Sequence, residues 1–82
     1  MTKIHWSNRA RLDVRAIDRV TAMQILGTID QFARFGIGEV KHLRPPLKEL
    51  RLRSGDWRVF FEAEGSNAIR ITRILHRSQA YR

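Results

Sequence analysis

No cysteine occurs in this chain, its prolines are limited to Pro45 and Pro46, and its only lysines are Lys3, Lys41 and Lys48. Missing cysteines exclude a disulfide framework, a thiolate metal site and thiol redox chemistry, a pattern that fits the cytosol. His5, His42 and His76 are too scattered in sequence to suggest a metal site, so neither a metal nor another cofactor is expected. Long apolar runs are missing as well. None approaches the roughly 20 residues needed to cross a bilayer, and the N-terminus lacks the apolar stretch of a signal peptide. A soluble, cytoplasmic protein with no membrane partner is therefore expected. Negative charge is the last scarcity: eight acidic residues face sixteen basic ones, for a formal charge of +8.

Arginine supplies most of that charge, and it is unevenly spread. Residues 1–40 hold six basic and four acidic groups, whereas residues 41–82 hold ten and four. The first part is thus +2 and the second +6. Guanidinium groups suit bidentate contact with phosphate. A basic surface on a chain with a real apolar fraction points to nucleic acid or an acidic protein partner, the alternative being general solubility charge. Eighty-two residues make one small domain, 1–82, that buries only roughly 60 to 65 % of its unfolded surface.

Along the chain, Lys3-Ile4-His5-Trp6 is a short candidate strand, and Ser7 is placed to cap a first helix. Leu12, Ala16, Ile17 and Val20 then recur at helical spacing. A second helix carries Ala22, Ile25, Leu26, Ile29, Phe32 and Ala33 on one stripe, with Gly36 as its expected stop. Thr21 to Gln24 has capping-box form and Asp18 is an equal capping candidate, so the break between helices falls within Ile17 to Thr21. Gly36 to Pro46 is too rich in turn formers and proline to continue a helix or join a central strand, and reads as a crossover loop. Beyond it come a hairpin, a turn at Glu64 to Asn67 and a strand from Ala68 to Leu75. The order β-α-α-β-β-β predicts an α+β fold, an antiparallel sheet with two helices packed on one face. Function is expected on the other face.

The hairpin, LRLRSGDWRVFFE at Leu50 to Glu62, is the most informative stretch. Leu50 to Arg53 alternate apolar and basic, and Trp57 to Phe61 are β-branched and aromatic apart from Arg58. If Gly55-Asp56 forms a two-residue turn, Ser54 pairs with Trp57, Arg53 with Arg58, Leu52 with Val59 and Arg51 with Phe60. Arg51, Arg53 and Arg58 then share one face. A three-residue loop would instead set Arg53 opposite Trp57 and break that face. Like charges directly opposite each other weaken a sheet, so an anion between them is expected, most simply a phosphate. Whether Arg70 and Thr72 or Arg73 joins this face is left open by Ile74, which disrupts simple alternation in the last strand.

With R-L-R-x-G-D-aromatic-R at Arg51 to Arg58 and H-R-x-x-A-Y-R at His76 to Arg82, the chain resembles the RelE/ParE superfamily of bacterial toxins over essentially its whole length. Its closest likeness is to the RelE branch, whose members enter the ribosomal A site and cut messenger RNA; the ParE branch keeps the fold and poisons DNA gyrase. The resemblance implies the toxin of a type II toxin–antitoxin system, a metal-independent endoribonuclease acting on mRNA at the ribosome and held by a cognate antitoxin. It places Arg51, Arg58, Arg77, Tyr81 and His76 in the catalytic set, with Arg53, Lys48, Arg73 and Arg82 as further RNA-binding residues. Glu49 stands where the family often has another basic residue. The alternatives are a ParE-like gyrase inhibitor and a non-catalytic RNA-binding module.

Metal-free RNA cleavage requires the ribose 2′-OH to lose a proton, the phosphorane charge to be neutralised and the leaving 5′-oxygen to be protonated. Arg51, Arg58 and Arg77 suit the second task. Arginine, with a pKa above about 12, is a poor general base. Proton transfer must then look to His76 or Tyr81, with Tyr81 also suited to stacking on a base. A lone histidine is more often structural, and Trp57 more often a core or cross-strand residue than a stacking platform.

Overall fold

The computed structural model describes residues 2–44 and 47–80. The elements are β1 (Lys3–Trp6), α1 (Asn8–Arg15), α2 (Arg19–Phe35), β2 (Val40–His42), β3 (Leu50–Ser54), β4 (Trp57–Glu64), β5 (Ala68–His76) and α3 (Arg77–Ala80). Local chemistry sets the helix ends. The Ser7 hydroxyl accepts from the Ala10 amide at 3.0 Å and donates to the Thr72 carbonyl at 3.0 Å, so one side chain caps α1 and ties it to β5. Of the two capping candidates for α2 it is Asp18 that serves, its carboxylate accepting from the Thr21 amide at 3.0 Å. Gly36 ends α2 in the left-handed region (φ 68°), and its amide donates to the Phe32 carbonyl.

The strands form one sheet in the order β1-β5-β4-β3-β2. Neighbours from β2 to β5 are antiparallel, and β1 adds to β5 in parallel. The two long helices cover one face, through Ala10 of α1 and Ile25, Ile29 and Ala33 of α2. Two elements go beyond the expected order. The segment read wholly as a crossover loop contains the edge strand β2, and the tail opens with the single turn α3. An edge position reconciles β2 with the nearby prolines, because only one side of it needs hydrogen-bond donors. Gly38 brings the chain in: a Cβ there would lie 2.7 Å from Leu52 Cδ1, so only a residue without a side chain passes this close to β3.

The last strand owes its irregular pattern to a β-bulge. Phe60 pairs with Arg73 and Phe61 with Ile71, leaving Thr72 as the extra residue. Such an insertion reverses the alternation beyond it. Ile69 and Ile71 therefore face the helices before the bulge and Ile74 after it, and all three join Leu52, Val59 and Phe61 in the core. Phe32 of α2 meets Phe61 at a ring separation of 5.2 Å and a tilt of 56°, a favoured aromatic geometry. The stripe assigned to the first helix is corrected in part. Leu12 and Val20 are 59 % and 69 % exposed, while Ala10 is fully buried, its small side chain letting α1 lie close to β5. Leu26 of the second stripe also reaches solvent.

Two outcomes are expected. Gly38→Ala should destabilise the protein by about 1–3 kcal/mol, the usual cost of overpacking, read as a lower urea midpoint at unchanged slope. The added loss should shrink in a Leu52→Ala background, where the opposing atom is gone; an equal loss in both backgrounds would refute the contact. The Thr21 amide holds the Asp18 carboxyl below its usual range, ordinarily about 3.9. Its stabilising effect is therefore present above about pH 4 and is lost as pH falls through the lowered folded value. Asp18→Asn, which keeps the cap without the charge, should flatten this part of the acid limb of a stability profile.

Candidate functional site

The β3–β4 register is the one a two-residue turn requires: Ser54 opposite Trp57, Arg53 opposite Arg58, Leu52 opposite Val59 and Arg51 opposite Phe60. Gly55 takes φ 58°, as a primed turn with glycine first demands. Leu52 and Val59 turn to the core, so Arg51, Arg53 and Arg58 share the open face. β2 extends the pattern, setting Lys41 opposite Arg51 and Val40 opposite Leu52. The Arg53 amide donates to the Glu39 carbonyl at 2.9 Å, which continues the pairing one step beyond β2. Glu39, Lys41, Arg51, Arg53 and Arg58 together line a depression of about 190 Å³.

Opposed strand residues have Cβ atoms roughly 4.5–5.5 Å apart, and alternate residues on one strand are about 6.6 Å apart. Four cations at such spacings make a strongly electropositive patch, and the protein itself partly offsets it. Arg58 is only 7 % exposed, and its Nη1 donates to the carbonyls of Gly55 and Trp57, both at 2.9 Å. Burial and these bonds hold its guanidinium over the turn. Arg53 faces solvent and pairs with Glu39 at 3.3 Å.

The remaining candidates lie at various distances from this patch. Arg77 stands at the turn: its amide donates to the Asp56 carbonyl at 2.7 Å and its Nε lies 3.7 Å from the Asp56 carboxylate. His76 is on the other face. It pairs in register with Trp57, meets that indole edge-on at 5.3 Å, and caps α3 through Nδ1, which accepts from the Ser78 amide and hydroxyl. With Nδ1 as the acceptor, a neutral ring carries its proton on Nε2. Trp57 packs against the core as anticipated for a hairpin aromatic. Arg73 points to α1, where Asp13 takes its Nε at 2.8 Å and the Ile74 amide at 2.9 Å. Lys48 is exposed just before β3, and Glu49 accepts from the Thr72 hydroxyl at 2.6 Å. Tyr81 and Arg82 lie outside the described residues.

Lys41 and Glu39 were missed by sequence reasoning, because their segment was assigned to a loop. The alternation of Val40, Lys41 and His42 after Gly38 is the signal that locates them. A larger cleft, about 440 Å³, lies between α2 and the turn, lined by Thr21, Gln24, Thr28 and Ser54 among others. Among the described residues, Asp56 is its only charged lining residue. Phosphate chemistry is therefore better served by the smaller, cationic depression.

The family described as ParE toxin of type II toxin-antitoxin system, parDE, matches residues 4–81. No curated protein sequence matches. Among solved structures, the chain is similar to one from the RelB-RelE antitoxin-toxin complex of Methanococcus jannaschii (18 % identity, TM-score 0.75, 94 % of each chain covered). It is also similar to one from the archaeal RelE-RelB complex of Pyrococcus horikoshii (16 % identity, TM-score 0.76), covering 96 % of this chain and 98 % of that one. The intact Escherichia coli RelBE complex gives 14 % identity and a TM-score of 0.68, with 90 % and 94 % covered. At such identities the likeness carries the fold.

The Asp13 contacts generate a prediction. Asp13→Ala leaves the Ile74 amide and the Arg73 guanidinium without their acceptor, at a cost of about 1–3 kcal/mol. Asp13→Asn, whose amide oxygen still accepts from Ile74, should lose less. A denaturation midpoint unchanged in Asp13→Ala would show that these bonds contribute nothing.

Proposed function

The chain belongs to the ParE toxin family of type II toxin–antitoxin systems, and from its cationic depression we propose that it stops translation by cutting messenger RNA on the ribosome. One observation carries the reading: Lys41, Arg51, Arg53 and Arg58 surround a single depression on the open sheet face. A phosphodiester seated there meets cations already in place. The charge that develops on its oxygens during attack by the 2′-OH is stabilised without further reorganisation. Arg51 and Arg58 are the proposed clamp, with Arg53 and Lys41 beside it and Arg77 held at the turn by Asp56. Proton transfer falls to the tail, through Tyr81 or His76, or to the ribosome.

A cognate antitoxin is the proposed partner, by analogy with the RelB-bound neighbours. An acidic antitoxin segment crossing the arginines would occupy the place of RNA and switch the toxin off.

A second reading, inhibition of DNA gyrase by binding alone, is favoured by the position of His76. Its ring lies on the face opposite the depression, with Nδ1 committed to capping α3. Among the described residues, the only carboxylate lining the depression, Glu39, is paired with Arg53.

Induced expression in bacteria followed by mapping of mRNA 5′ ends decides between them. New ends within translated regions are expected, and Arg51→Ala or Arg58→Lys should lower cleavage about 10²- to 10³-fold, as for loss of an electrostatic stabiliser. Tyr81→Phe should also relieve toxicity. Unfolding midpoints of the variants guard against simple misfolding, a needed check given the buried Arg58. Intact mRNA together with DNA-damage signalling would replace this reading with the gyrase one.

A further inference from the structure

We propose that Glu39 is a built-in counter-anion that competes with an incoming phosphate for Arg53 and so sets how tightly the depression holds RNA. The inference rests on the reading of that depression as a phosphate site, and it assigns a role to the one acidic residue that lines it among the described residues. Glu39 is not placed there by chance of rotamer alone. Its carbonyl accepts from the Arg53 amide at 2.9 Å, and the preceding Gly38 lies too close to Leu52 to admit a Cβ. The backbone therefore delivers the carboxylate to the rim, where Oε2 lies 3.3 Å from Arg53 Nη1.

Both partners are open to water, with side chains 57 % (Arg53) and 74 % (Glu39) exposed. Such a pair is held weakly. A phosphate can displace the carboxylate without unfolding anything. In the free protein Glu39 relieves the repulsion between Arg53 and the directly opposed Arg58. In the bound protein the phosphate does this instead, and the displaced carboxylate is left repelling it. Removing the negative charge thus destabilises the free state and favours the bound one, and both effects tighten binding.

The test uses fluorescence anisotropy with a short single-stranded RNA carrying 2′-O-methyl sugars, which binds without being cut, over about 50 to 200 mM salt. Inorganic tripolyphosphate serves as a parallel probe by calorimetry. Glu39→Gln should bind the RNA about fivefold more tightly at about 0.1 M salt, with a plot of log affinity against log salt steeper by about 0.7, the increment for one further single-strand phosphate contact. That gain should vanish when Glu39→Gln is introduced beside Arg53→Ala. Asp30→Asn, which removes an equal charge from an ion pair on α2, should gain less. A response to tripolyphosphate without any RNA binding would keep Glu39 in this role and overturn the RNA reading. Wild-type affinity of Glu39→Gln for both probes, or a gain that persists without Arg53, would overturn the proposal itself.

Discussion

Side chains on a strand change face with every residue, so the charge pattern of this protein hangs on the number of residues between β3 and β4. Gly55 and Asp56 alone make that connection. One more residue would move Arg58 opposite Leu52, into the layer now filled by apolar side chains. The same turn also organises its surroundings. Its Gly55 carbonyl receives the Arg58 guanidinium, and its Asp56 carbonyl receives the first amide of the tail helix. The register of the basic face, the posture of its buried arginine and the start of the tail are thus settled within two residues.

The bulge at Thr72 is the counterweight. It lets β5 present isoleucines to the helices on both sides of an odd spacing, and Thr72 is itself tied to its surroundings. The Thr72 carbonyl receives Ser7, and its hydroxyl reaches Glu49. Arg73, set just beyond, is drawn to Asp13 at the sheet edge. Positive charge on the last strand is therefore tied partly to architecture, whereas that on β2 and β3 faces the open depression.

Much of this was legible in the sequence because local rules and tertiary structure agree. Gly55-Asp56 between two alternating segments predicts the register, Ser7 and Asp18 announce helix starts, and the Ile25-to-Ala33 stripe announces the covering helix. The misses have physical causes. β2 is three residues long and borrows its stability from β3, so its own sequence hardly signals it. Leu12 looks apolar enough for the core, yet the closeness of α1 to β5 selects Ala10. An arginine's partner across some sixty positions, as with Asp13 and Arg73, leaves no local trace. The side taken by His76 depends on a bulge that shows in sequence only as a broken alternation. The shared face of Arg51, Arg53 and Arg58 was readable; the separation of His76 from it was not.

The parallel pairing of β1 with β5 also bears on how the protein comes into being. Lys3 to Trp6 find their partners at Ala68 to Ile71, and Ser7 and Asp13 find theirs at Thr72 and Ile74. During synthesis the first strand and first helix therefore wait for these partners until β5 has been made. Contacts so distant in sequence slow folding and close last. A nascent copy can assemble the basic face of β2, β3 and β4 first, but it cannot complete its core until β5 has joined them.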